Sequence, residues 1–259
     1  MSDLDFNYIL NKMKNQEVDR PNKSTSGTLS GHAAGEPFEK LAYKELKEKY
    51  PGRIFKQYEY LNDIYLKNPT HITVKQRKEL FDSPTALFLF SRGDNAIRYW
   101  SPQNIFDEKQ NDTADILYYD HHFYDIIDIK TRNIKKGGQP PNIISAYKLA
   151  NMCALMLDNE EFDNIEIDYI EIDWIEDGDK LKCTDTHHGR LFKANPETLY
   201  INWSAGMQIQ FHVSELDQSW KDSRREWAIE YLRKFVNSAE DRCTKMRKTY
   251  IEPFLRYIQ

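Results

Sequence analysis

The residues of this chain best suited to chemistry fall in one stretch, DILYYDHHFYDIIDIK, which runs from Asp115 to Lys130. Two apolar, β-prone runs, Ile116 to Tyr119 and Phe123 to Ile129, flank Asp120-His121-His122, and the pattern predicts a hairpin. Side chains alternate along a strand, so Asp128 and Lys130 leave one face while Ile127 and Ile129 leave the other. An ordinary hairpin register brings Asp115 back beside them. Two carboxylates and an ammonium at a strand end suit metal-assisted cleavage of a phosphodiester. The carboxylates offer oxygen ligands to a hard divalent cation, and the ammonium balances charge developing on the phosphate. Taken alone, the same pattern also fits a solvated Asp-x-Lys face, common where 30% of residues are charged.

The elements that position this stretch are legible in outline. Residues 1–23 read as a peripheral segment, a short amphipathic helix (Phe6, Ile9, Leu10, Met13) that fades into a polar tail. Residues 24–37 are a small-residue loop. Pro37 starts a helix to about Tyr50, with Phe38, Leu41, Ala42 and Leu46 at helical spacing. Glu36 and Glu39 complement the dipole of its first turn, and either is placed to reach a metal. A strand is expected over Phe55 to Leu61. Ser83-Pro84 opens a short apolar helix through Phe90, and Ser101-Pro102 repeats the signal before Ile105 and Phe106.

Beyond Lys130 the chain enters TRNIKKGGQPPN, a basic turn that paired glycines and prolines keep out of helix and central strand. Asn142 is then the expected N-cap of a helix from Ile143 to about Asp158, with Ile144, Tyr147, Ala150, Ala154 and Leu157 inward. Ile165, Ile167 and Tyr169 alternate as a strand, and Asp177-Gly178 turns the chain toward Leu181. Residues 200–203 and 207–213 form another β region. A closing helix from about Ser223 carries Trp227, Tyr231, Leu232, Phe235, Ala239, Met246 and Tyr250 inward. Its basic residues lie on other faces, either solvated or laid along phosphates.

Composition narrows the class. In 259 residues, 40% hydrophobic and 13% aromatic content supports a folded core, and the absence of a linker-like segment favours one domain. No apolar run approaches the roughly 20 residues that span a bilayer, and the N-terminus lacks a signal-peptide pattern, so a soluble, cytoplasmic protein is expected. Cys153, Cys183 and Cys243 are too far apart for a disulfide framework or a four-cysteine zinc site. The net charge of −5 hides an uneven distribution. Lys130, Arg132, Lys135 and Lys136 form a run of cations without an acid, whereas residues 158–179 are strongly acidic; local field decides where a polyanion docks.

The spacing Asp115, Asp128, Lys130 resembles the PD-(D/E)xK nuclease signature. The longer strings SGTLSGHAAGEPFEKL, FKQYEYLND, EKQNDTADIL, KTRN, PNIISAYKLA, YINW and MQIQFHV resemble the HincII/HindII type II restriction endonuclease family from about Ser26 to the end. The resemblance implies a restriction-endonuclease-like α/β (α+β) fold: a mixed central β-sheet flanked by helices, with a long C-terminal helix. It implies a homodimeric, Mg2+-dependent enzyme that cuts double-stranded DNA at GTYRAC to leave blunt ends, alongside a cognate DNA methyltransferase. Carried over by motif, Asp115 and Asp128 are metal-binding carboxylates, Ile129 offers its carbonyl oxygen, and Lys130 assists the attacking water. Gln139 matches the residue that inserts into the DNA stack, and Asn142 and Asn202 match residues that contact bases. Arg132, Lys135 and Lys136 supply phosphate attraction. The sequence departs from the family pattern at Pro140 in the same turn and at Ser204 and Gly206 after YINW. Two other classes fit the bare motif: a non-catalytic DNA-binding protein and a hydrolase of another phosphodiester.

Overall fold

A computed structural model describes residues 3–21, 31–65, 70–90 and 113–258, without the side chains of residues 31–34, 62, 65 and 71. The first part of the chain gives α1 (Phe6–Met13), β1 (Glu17–Asp19), α2 (Gly31–Lys49), β2 (Ile54–Phe55), α3 (Gln57–Tyr65), α4 (His71–Phe81) and α5 (Pro84–Phe90). The central part gives β3 (Ile116–Asp120), β4 (Phe123–Asn133), β5 (Asn142–Ser145) and α6 (Ala146–Asn159). The last part gives β6 (Ile165–Asp177), β7 (Lys180–Arg190), β8 (Tyr200–Asn202), β9 (Gln208–Gln210), α7 (Arg224–Met246) and α8 (Glu252–Leu255).

The expected hairpin forms. β3 and β4 pair antiparallel, from Ile116 opposite Ile127 to Asp120 opposite Phe123. His121 and His122 take φ of 39° and 63°, the left-handed pair whose twist suits a two-residue hairpin. Histidine adopts this region less readily than Asn or Gly. Glu79 of α4 holds the turn, accepting the His122 N–H at 3.3 Å and facing its ring at 3.4 Å.

Around the hairpin, a mixed six-stranded sheet runs in the order β1-β7-β6-β4-β3-β2. β4 and β6 are parallel, and the other neighbours are antiparallel. Burial on both faces accounts for the nearly unbroken apolar run of β4. Tyr124 and Ile126 face a layer built from α5, α6 and α7, in which Trp227 and Tyr231 are fully buried. Their polar tips are satisfied by the Ala194 and Ala146 carbonyls, at 2.7 and 2.8 Å. Ile127 and Ile129 face the opposite layer, with Phe6, Ile9 and Met13 of α1 and Phe38, Ala42 and Leu46 of α2. The mixed α/β architecture with a flanked central sheet and a long C-terminal helix is therefore present. Among the described residues, no helix is long and apolar enough to cross a membrane.

A second sheet, β5-β9-β8, is antiparallel. Ile144, Ile209 and Ile201 align across it and join the core, while Asn142, Gln210, Tyr200, Ser145, Gln208 and Asn202 belong to its other rows.

Several local expectations give way to tertiary context. The N-terminal segment is not peripheral: Ile9 and Met13 are fully buried, and β1 completes one edge of the sheet. α2 begins at Gly31, so Pro37 lies inside the helix rather than at its start. Over 55–61 the strand stops at Phe55 and α3 takes over. The helix after the basic turn is capped by Ser145, not Asn142, because residues 142–145 are drawn into the second sheet. Tyr147 is consequently 57% exposed. The inward face of α7 ends early, because a helix of 23 residues outruns the layer beneath it: Met246 at its last position is 45% exposed, and Tyr250, in the turn Arg247–Ile251 that follows, is 65% exposed. Residues 24–30 of the small-residue loop, and the Ser101-Pro102 signal with Ile105 and Phe106, lie outside the described residues.

Candidate active site and nucleic-acid interface

The three acidic and basic residues of the hairpin converge. Pairing of β3 with β4 ends at Ile116–Ile127, so among the described residues β4 beyond Ile127 has an open edge on that side. The Asp115 carboxylate fills the start of it, its Oδ2 accepting the Ile129 N–H at 2.8 Å. Lys130 Nζ lies 2.6 Å from Asp128 Oδ2. In a strand the N–H and C=O of one residue point to the same edge, so the Ile129 carbonyl is also turned to the Asp115 side.

Electrostatics at this point favour a cation. Burial, then the neighbouring Asp128 charge, pushes the Asp115 carboxyl up to about 8. Burial alone lowers the Lys130 ammonium, but the Asp128 and Asp115 carboxylates outweigh it and hold Lys130 above its usual value. Lys130 is thus charged beside two carboxyls that cannot both ionise cheaply without another positive charge. Among the described residues no group of three or more His, Cys, Asp or Glu side chains is placed to hold a metal. Two carboxylates and a main-chain carbonyl remain as donors, a set that fits Mg2+, which keeps several positions for water and phosphate oxygens. His187 and His188, near Cys183, pair instead with Asp173 and Asp168, at 3.3 and 2.5 Å.

Three supports surround this centre; Gln57 and Glu171 carry no signal in the sequence, since each acts across a long chain separation, whereas Glu39 is among the residues that the sequence places within reach of a metal. Gln57, at the start of α3 and 1% exposed, accepts the Thr113 and Ala114 N–H groups at 2.9 and 3.0 Å and so fixes the entry to Asp115. Gln57→Ala orphans two buried donors and is expected to destabilise the fold by about 2–3 kcal/mol in denaturant melts. Glu39 pairs with Lys56 and lies close enough to Lys130 to help hold its proton. Glu36 pairs outward with Lys40 at 2.7 Å. Of the two glutamates considered for the site, the helix therefore directs only Glu39 toward it. Finally, Glu171, opposite Lys130 on β6 and fully buried, accepts His212 Nδ1 at 2.7 Å and the Ser214 N–H at 3.1 Å. It anchors the segment just past β9 beside β4.

The basic turn is shorter than expected: Thr131, Arg132 and Asn133 still belong to β4 and pair with β6, and Asn142 already belongs to β5, so the turn proper lies between them. Lys135, Lys136, Gly137, Gly138 and Gln139 are exposed, and Pro140 is half-buried. Arg132 reaches Ser214 Oγ at 3.4 Å and Glu215 at 3.6 Å, and Lys136 lies 3.5 Å from Glu176. The acidic run 158–179 is paired in its middle, Glu166 with Arg224, Asp168 with Arg190 and His188, and Glu171 with His212, while Asp158, Glu160, Asp163, Asp177 and Asp179 are exposed.

Asn142 and Asn202, far apart in sequence, are brought onto one small sheet. Asn142 lies opposite Gln210, and Ile144 opposite Ile209, so β5 uses two residues where β9 uses one. That bulge turns Asn142 away from the Ile144 face; an unbroken strand puts i and i+2 on the same side. Asn202 caps the turn after β8, its Oδ1 accepting the Ser204 and Ala205 N–H groups at 3.0 and 3.1 Å. Gly206 closes that turn at φ 74°, where glycine is free of strain. Gln210, which the sequence reading missed, bridges the two asparagines. Its alternation with Gln208 in MQIQFHV was the one visible cue.

Comparison with known proteins agrees with this geometry. The family model described as Restriction endonuclease HincII matches residues 9–258. The chain is 55% identical over 254 residues to the type II restriction enzyme HincII of Haemophilus influenzae, covering 98% of this chain and 96% of that protein. It is 56% identical, with the same coverage, to the type II restriction enzyme HindII of the Rd strain of that species. With a match of that length and with the carboxylates and lysine gathered at the open edge of β4, the chain belongs to the HincII restriction endonuclease family.

Proposed function

We propose that the protein is a Mg2+-dependent type II restriction endonuclease, working as one domain per subunit of a homodimer. It cuts double-stranded DNA in the middle of GTYRAC, leaving blunt ends with 5′-phosphates and 3′-hydroxyls. The observation that carries the reading is the convergence of Asp115, Asp128 and Lys130 at the open edge of β4, in a chain more than half identical to type II restriction enzymes. Asp115, Asp128 and the Ile129 carbonyl hold the ion, which when bound acidifies a water and neutralises charge on the phosphate. Lys130, charged in its paired state, places an ammonium where negative charge grows in the transition state. Asn142 and Asn202 read base edges, Gln139 and Pro140 enter the stack from the exposed turn, and Arg132, Lys135 and Lys136 bind phosphate. One short chain that cuts two strands of a symmetric site is most simply paired about a two-fold axis. In the cytoplasm such an enzyme needs a methyltransferase to protect the host's own sites.

The test is incubation with unmethylated plasmid and Mg2+, followed by sequencing of the fragment ends. One common blunt end sequence supports the proposal. DNA binding without cleavage points to a non-catalytic binder, and neither activity points to a hydrolase of another phosphodiester. Binding is also expected to weaken steeply with salt. Lys135→Ala and Lys136→Ala should each reduce the slope of log affinity against log salt by about one per subunit. An unchanged slope removes the turn from the docking surface.

A further inference from the structure

The amide chain across the small sheet has a direction. The Ser204 and Ala205 N–H groups can only donate, so the Asn202 atom they meet, at 3.0 and 3.1 Å, must be its oxygen, and both its lone pairs are used. The Asn202 nitrogen is thereby turned to Gln210, donating to Oε1 at 2.8 Å. With its oxygen taken, Gln210 offers Nε2 to the Asn142 oxygen at 2.7 Å. Asn142 is left with its nitrogen leading outward from an exposed position, while Gln210 itself is 9% exposed.

We infer that Gln210 is a positioning residue for sequence reading, passing the orientation fixed by the backbone at Asn202 on to Asn142. Asn202 then meets DNA only as an N–H donor, and Asn142 leads with its N–H groups. The base atoms read are acceptors such as purine N7, guanine O6 or thymine O4, rather than the amino groups of adenine or cytosine. The inference rests on the assignment of Asn142 and Asn202 as base-reading residues.

Gln210→Met keeps the volume and removes both bonds. Gln210→Glu offers a sharper readout. Protonated, the introduced carboxyl accepts from Asn202 and donates to Asn142 as the amide does; ionised, it has no proton to donate and Asn142 loses its orientation. The measurement is kcat/KM on duplexes carrying the recognition site and each single base-pair variant, at saturating Mg2+, from about pH 5 to about pH 8. The ratio of cognate to variant rates is read, so the shared catalytic groups cancel.

Gln210→Met is expected to lower discrimination by about tenfold to a hundredfold at every pH, with its melting temperature near that of the parent. In Gln210→Glu, discrimination should stay near that of the parent at the acid end and fall as pH rises; the parent ratio stays flat. Parent-like discrimination in Gln210→Met, with Asn142→Ala or Asn202→Ala losing it, overturns the role of Gln210 and leaves the base-reading assignment standing. If both alanine variants discriminate like the parent, the assignment fails and the inference fails with it. Should Gln210→Met not fold, a pH-independent ratio in Gln210→Glu overturns the inference by itself.

Discussion

Asp128→Ala should abolish DNA cleavage, by about ten-thousandfold or more, and leave the melting temperature within a few degrees of the parent. The loss is large because Asp128 supplies one of two carboxylates at the only place among the described residues where Asp115, a main-chain carbonyl and Lys130 meet. The fold is expected to survive because burial, the larger push on the Asp115 carboxyl, is unchanged while the push from Asp128 is removed, and Lys130 keeps Asp115 as an acidic neighbour. Lys130→Ala should slow cleavage by about a hundredfold to a thousandfold while sparing DNA binding. Fragment yield from plasmid, with circular dichroism melts on the same samples, checks both variants. Cleavage by Asp128→Ala at more than a hundredth of the parent rate would sink the metal assignment.

The second large effect is competition between proton and metal. The Asp115 carboxyl, pushed up to about 8 by burial and by Asp128, holds a proton through the neutral range. A cation needs both carboxylates ionised, so binding releases that proton. The Mg2+ concentration for half-maximal cleavage is therefore expected to fall about tenfold per pH unit as pH rises toward 8 and to level off above it. The linkage to stability has the opposite sign without metal. The folded state keeps the Asp115 proton up to about 8, whereas the unfolded chain releases it near 3.8. The metal-free protein thus binds more protons folded than unfolded between those values, and it loses stability as pH climbs through them. Asp168, raised to about 7 mainly by burial, acts in the same direction, so the comparison has to be made with a variant. In chelator at pH 8, Asp115→Asn should melt higher than the parent by on the order of 5 °C, and match it near pH 4. Mg2+ should raise the parent's melting temperature and leave that of the variant unchanged. A parent whose Mg2+ requirement is independent of pH would remove the competition between the Asp115 proton and the metal.

By itself the sequence determined the elements that local rules govern. Alternation and the Asp120-His121-His122 break specified the hairpin, Ser83-Pro84 a short helix, Asp177-Gly178 a turn, and Ser223 the start of the long helix. It also determined that Asp128 and Lys130 share one face, because residue position at fixed strand spacing is enough to put them there. Tertiary structure decided what depends on distant partners. Residues 57–61 fall in a helix whose first residue, Gln57, meets the entry of β3, and Ser145 replaces Asn142 as cap because β9 draws residues 142–145 into a sheet. Within the acidic run 158–179, Glu166, Asp168 and Glu171 find their partners only on α7, β7 and the segment after β9. Gln210 is the clearest case. Beyond its alternation with Gln208 nothing local singles it out, and its place between Asn142 and Asn202 exists only once a bulge and an antiparallel register bring three strands together. Local spacing fixes which face a side chain takes; only the packed sheet fixes which groups meet across it, and a hydrogen bond requires both.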